Sequence, residues 1–130
     1  MSYPEDVLEA QLGDLGLDAV REYHFGAEAC GGAGKGLRER LKKSGLKNWR
    51  ADFAILDYLL LIEIEGGGWT GGRHTRPKGF AEDLLKYDAA MRLGYTVYRC
   101  SPEMVMSNRA IETISKIISL YGGIEDPEPG

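Results

Sequence analysis

No apolar run in the chain approaches the ~20 residues that a membrane-spanning helix needs, so the sequence predicts no membrane partner. The N-terminal stretch MSYPEDVLEA is acidic and lacks an apolar core segment, which argues against a secretory signal. Cysteine is scarce. Cys30 and Cys100 make no disulfide framework and no CxxC pair, and a reducing, cytoplasmic setting is expected. Histidine is equally scarce, and the spacings of His24, Cys30, His74 and Cys100 match no compact zinc module. No Ser or Cys nucleophile sits in a recognisable triad. The glycine-rich GGAGKG fails as a nucleotide-triphosphate loop on two counts: Ala29 stands six residues before Lys35, and Gly36 replaces the Ser or Thr that would hold Mg²⁺. Internal repeats and linkers are also missing.

What is present suits one modest domain of 130 residues, 43% hydrophobic and 28% charged. The formal net charge of −4 conceals a pattern. From Lys35 to Arg50 seven cations (Lys35, Arg38, Arg40, Lys42, Lys43, Lys47, Arg50) oppose one anion, Glu39; the local charge is +6 and the remainder of the chain carries −10. Arg73, His74, Arg76 and Lys78 form a second cationic cluster. Such patches matter more than net charge for phosphate contact, although charge alone fits a solvated helix face as well.

Pro4 and the stripe Leu8, Leu12, Leu15 predict a first helix over residues 4–15. AVREYHF (19–25) alternates and reads as a strand. GAEACGGAGKG reads as a loop, and RERLKKSG as a short basic helix stopped by Gly45. WRADFAILDYLLLIEIEGG reads as two strands turning near Asp57–Tyr58. A helix over 80–93 follows, with Phe80, Leu84, Tyr87 and Met91 at helical spacing. YTVYRC is a strand, and a last helix over 108–121 carries Ile111, Ile114, Ile118 and Tyr121. The expected order is α-β-β-β-α-β-α: a domain over 1–122, with a basic glycine-rich insert at 26–48 and a flexible acidic tail at 123–130.

The segment LLLIEIEGGG poses a chemical problem. It is an apolar strand that ends with Glu63 and Glu65 on one face. If the turn is centred between Asp57 and Tyr58, Ile55 opposes Leu60, Phe53 opposes Ile62, and Ala51 opposes Ile64. That apolar face must be core. The same register sets Asp52 opposite Glu63 and Arg50 opposite Glu65. Like charges opposite one another destabilise a sheet, so the pair must share a proton or hold a cation, for which carboxylates suit Mg²⁺ or Mn²⁺. A polar sheet surface with Arg50 neutralising Glu65 is the plain alternative.

An Asp on one strand, about ten residues, and an acid-x-acid at the end of the next strand resembles the PD-(D/E)XK nuclease superfamily. The run WRADFAILDYLLLIEIEGGGWTGGRHTRPKGFAEDLLKYDAAMRLGYTVYRC is similar to its small bacterial and phage endonucleases of the very-short-patch-repair and Holliday-junction-resolvase-like branch. The resemblance covers roughly residues 5–100 and leaves out the 26–48 insert. It implies a restriction-endonuclease-like α/β core, α-β-β-β-α-β, with a central mixed four-stranded sheet flanked by helices. It also implies a Mg²⁺- or Mn²⁺-dependent endonuclease acting on DNA, branched or otherwise structured. Asp52 and Glu63 match the metal-binding acids, with the Ile64 main-chain carbonyl as third ligand. Glu65 stands where the superfamily has lysine. It is then either a further ligand for metal or water, or its place is filled by Lys86 from the following helix. Glu9 matches an accessory acid of the first helix, with Glu5 a weaker match one turn earlier. Arg73, His74, Arg76 and Lys78, with Lys35, Arg38, Lys42, Lys43 and Arg50, would hold the DNA backbone. Trp69 would cap the core or stack on a base. Resolvase-like members pair to cut two strands, so a homodimer is compatible, although no residue here identifies a dimer surface. The missing lysine keeps a second reading open, a non-catalytic nucleic-acid-binding or assembly module on the same fold. A protein-interaction domain is a third.

Overall fold

The computed structural model describes residues 3–66 and 77–125. Helix α1 (Pro4–Asp14) opens with proline in its first turn, where the fixed φ is already helical and no amide donor is missed. Leu8 and Leu12 of its stripe are fully buried, whereas Leu15 falls just beyond the helix and is half-exposed. Strand β1 (Val20–Tyr23) is followed by α2 (Phe25–Ala29), α3 (Leu37–Ser44), β2 (Ala51–Ile55), a 3₁₀ turn (Leu56–Tyr58) and β3 (Leu60–Ile64). Then come α4 (Pro77–Arg92), β4 (Thr96–Cys100), α5 (Pro102–Met106) and α6 (Arg109–Glu125). None of the helices among the described residues is long and apolar enough to cross a membrane.

The four strands form one mixed sheet in the order β1-β2-β3-β4. β1–β2 and β2–β3 are antiparallel, and β3–β4 is parallel across the α4 crossover. The hairpin register is Phe53↔Ile62, Ala54↔Leu61 and Ile55↔Leu60, the one that buries the apolar alternation. One face of the sheet packs Phe53, Ile55, Leu60 and Ile62 against α1, α5 and α6. The other packs Ala54 and Leu61 against Phe25 of α2 and Ala90 of α4. β3 is therefore covered on both faces, which explains its unbroken apolar run LLI.

Three differences from the sequence reading have physical causes. GAEACGG is not all loop: α2 forms because Phe25 is buried against Trp49 and Tyr95, and tertiary packing overrides weak local propensity. The 26–48 stretch is thus built partly into the core. Gly26 shows the same docking, since a Cβ there would lie 1.9 Å from the Lys47 carbonyl oxygen. Helix α5 is an additional element with local signals of its own: Ser101 caps it by accepting from the Met104 amide at 3.1 Å, and Pro102 occupies its first turn. Strand β1 alternates in burial as expected, but its two inward side chains lie on opposite faces of the sheet. Glu22 takes φ 51°, so Arg21 turns to α1 while Tyr23, two residues on, joins the opposite cluster together with Ala51.

Candidate active site

Continuing the hairpin register by one pair sets Asp52 of β2 against Glu63 of β3, on the face that also carries Ala54 and Leu61. This is not a solvated surface, because α4 crosses it. Ala90 of α4 is fully buried there, and Lys86, one turn earlier, reaches down beside the acids. Lys86 Nζ lies 3.1 Å from Glu63 Oε2, with both side chains mostly covered. The contact is a close ion pair that partly compensates the burial of the carboxylate. Asp52 Oδ2 accepts from the Ile64 amide at 2.7 Å, a bond that orients the carboxylate along the strand end.

The electrostatics are those of a crowded acidic site. Burial pushes the Asp52 carboxyl above its usual range; the Ile64 amide opposes this, and the negative charge of Glu5 adds to it. Burial likewise raises Glu63, with Lys86 pulling the other way and the charges of Asp52 and Glu65 pushing up. Glu65 differs. Burial would raise it too, but the guanidinium of Arg99 and the hydroxyl of Tyr87 hold it below the ordinary carboxylate range. Its Oε2 accepts from Arg99 Nε at 2.8 Å and from Tyr87 Oη at 3.2 Å, and the Arg99 guanidinium stacks 4.5 Å from the Tyr87 ring centre. Burial, with these same anions nearby, pushes the Cys100 thiol up to about 11. At neutral pH it is a packed, uncharged core group, outside the chemistry of the site.

Several expected residues stand elsewhere. Glu9 is bound by Arg21 at 3.0 Å, as Asp6 is at 2.9 Å; the acid of α1 whose charge reaches Asp52 is Glu5. Arg50 does not neutralise Glu65. It pairs with Glu22 at 3.6 Å, because the hairpin ladder has ended and Arg99 on the parallel neighbour β4 is better placed. Glu65, expected as a ligand in its own right, is engaged by Arg99 and Tyr87. Lys35, Arg38, Lys42 and Lys43 are exposed. Arg40 has a different role: its guanidinium donates to the carbonyls of Cys30, Gly32 and Lys35 and closes the glycine-rich turn on itself. Arg73, His74, Arg76, Trp69 and the side chain of Lys78 lie outside the described residues.

Tyr87 and Arg99 complete the constellation. Helical spacing groups Tyr87 with Phe80, Leu84 and Met91 in one stripe. In the fold those three are more than half exposed, while Lys86, Tyr87, Ala89 and Ala90 turn inward. The reason is the sheet beneath: a surface carrying Asp52 and Glu63 receives a lysine and small residues better than a hydrophobic ridge.

Among the described residues no three His, Cys, Asp or Glu side chains converge as a metal cluster. The donor set nevertheless fits a hard, water-retaining cation. Two oxygen-donor carboxylates on paired strands match the one or two protein carboxylates that magnesium sites use.

The architecture is an α/β/α sandwich whose mixed four-stranded sheet carries a pair of half-buried acids beside a helix-borne lysine. Among solved structures, the catalytic domain of the homing endonuclease I-Bth0305I has a similar fold: TM-score 0.57, 16% identity, 90% of this chain and 94% of that domain covered. At that identity the likeness establishes the fold. No protein-family model matches the chain. A comparison with curated proteins also finds no match.

Proposed function

We propose that the protein is a Mg²⁺- or Mn²⁺-dependent endonuclease of the PD-(D/E)XK type that hydrolyses DNA phosphodiester bonds. The observation that carries this reading is the convergence of Asp52, Glu63 and Lys86 from β2, β3 and α4, with Lys86 Nζ 3.1 Å from Glu63. The motif lacks its lysine at position 65, and Lys86 offers the same charge from the neighbouring helix. The similar fold of a homing endonuclease catalytic domain supports the same class.

Asp52, Glu63 and the Ile64 carbonyl would hold the ion. When bound, such an ion supplies charge neutralisation at the phosphoryl oxygens and acidification of the attacking water. Lys86 orients that water and stabilises charge developing on phosphorus-bound oxygen. Glu65 fixes Arg99 and Tyr87 at the rim, where Arg99 can meet the substrate backbone. Glu5, rather than Glu9, is the supporting acid of α1.

The test is cleavage of plasmid, single-stranded and branched DNA with Mg²⁺ or Mn²⁺. Wild type is expected to cut, to stop on chelation and to recover when metal is restored. Asp52→Asn and Glu63→Gln should each lose at least about 10²-fold, and Lys86→Met about the same, with partial recovery in Lys86→Arg. Binding without cleavage under every metal would assign the non-catalytic module instead.

A further inference from the structure

We propose that the groove between α4 and the Ser44–Trp49 segment takes up an unpaired nucleotide of a branched or partly single-stranded DNA substrate. The identity of the polymer rests on the nuclease reading; the groove itself is a separate observation. Its volume of about 700 Å³ falls within the range of sites that enclose small organic ligands. Its apolar walls are Leu46 and Trp49 on one side and Leu85, Ala89 and Leu93 of α4 on the other.

The polar groups are those a nucleotide requires. Trp49 stacks on Phe25, ring centres 6.2 Å apart and planes 15° from parallel, so its partly exposed indole is held in a fixed plane. The backbone beneath it is pinned as well, by the close docking of Gly26 on Lys47. Indole faces accept any base by stacking, without sequence preference. Lys47 and Arg92 line the same groove. Arg92 is largely exposed and only loosely paired with Asp88, at 3.9 Å, leaving its donors for phosphate. Exposed Lys42 and Lys43, in the last turn of α3, extend the positive charge beyond the groove wall at Ser44 and Gly45. Apolar walls, one fixed aromatic face and flanking cations are complementary to a base and its phosphates.

Position connects the groove to the acids. Leu85 immediately precedes Lys86, and Trp49 lies three residues before Asp52, about 10 Å along an extended chain. At about 3.4 Å of rise per nucleotide, a strand with its scissile phosphate at the acids reaches the groove within a few nucleotides. Bases inside a duplex are stacked and paired, so an indole set in a groove meets only a base that has left the stack. The groove thus favours DNA with a single-stranded branch over continuous duplex.

Binding is measured in chelator, so that nothing is cut. In a Trp69→Phe background Trp49 is the sole tryptophan. Branched DNA should quench its emission, and blunt duplex should leave it nearly unchanged. The exposed double variant Lys47→Glu/Arg92→Glu, with folding verified by circular dichroism, should bind branched DNA about tenfold more weakly and blunt duplex less than about threefold more weakly. Equal losses on both substrates, absence of quenching, or emission that follows protein concentration without DNA would overturn the proposal; the last would make the groove a contact between copies. Failure of the nuclease reading shows separately, as no cleavage by wild type in the metal assay.

Discussion

At the scale of single residues, Asp52 and Glu65 are opposite cases. Glu65 is held below its usual pKa by Arg99 and Tyr87 and favours the folded state when ionised. Asp52 is held above its usual pKa, chiefly by burial, so its ionised form opposes folding. The folded chain binds that proton more readily than the unfolded chain. The opposition is therefore complete above the folded pKa and vanishes below the unfolded value near 4. Asp52→Asn keeps an oxygen to accept from the Ile64 amide and removes the charge. It is expected to stabilise the protein by about 1 kcal/mol near pH 7, to lose that advantage by about pH 3.5, and to be inactive. Urea unfolding of both proteins at the two pH values checks it, and an advantage that persists in acid would contradict the account. The acids of the hairpin were legible in the sequence because a period of two forces them onto one face. The partners of Glu65 were not, since Arg99 reaches it across a parallel pairing 34 residues away.

At the scale of elements, backbone conformation marks where local sequence and fold disagree. Leu59 links the 3₁₀ turn to β3 with φ 50°, a left-handed conformation that costs a leucine roughly 1–2 kcal/mol. Its side chain is about half exposed, so little packing is at stake. Leu59→Gly is expected to raise stability by about 0.5–1 kcal/mol, measured by chemical denaturation. Gly26→Ala should do the reverse and cost about 3 kcal/mol or more, because α2 must back away from the Lys47 carbonyl. If Gly26→Ala were neutral, α2 would not be docked as described. The hairpin and the α4 and α6 helices could be read from periodicity. α2 could not, because its cause is Phe25 finding Trp49 and Tyr95, residues far along the chain. The direction of α4 was also hidden, since helical spacing identifies a stripe without saying whether a polar sheet face will refuse it.

At the scale of the whole molecule, the charge is segregated: a cationic segment from Lys35 to Arg50 on a chain that is otherwise strongly acidic. If α3 contacts DNA phosphates, affinity should fall with salt, and Lys42→Glu/Lys43→Glu should lower the slope of log K against log salt by about 2. Titrations of an oligonucleotide between low and moderate salt measure this, and an unchanged slope would remove α3 from the interface. The hairpin register and the order of the main elements were readable in the chain alone, because they follow from alternation and periodicity within short stretches. That Glu5 rather than Glu9 is felt by Asp52, that Arg99 rather than Arg50 answers Glu65, and that a groove opens beside Trp49 emerge from the packing of the folded chain. Those are matters of distance between segments remote in sequence, set by how α1, α4 and the 26–48 stretch pack on the sheet, and no local pattern encodes them.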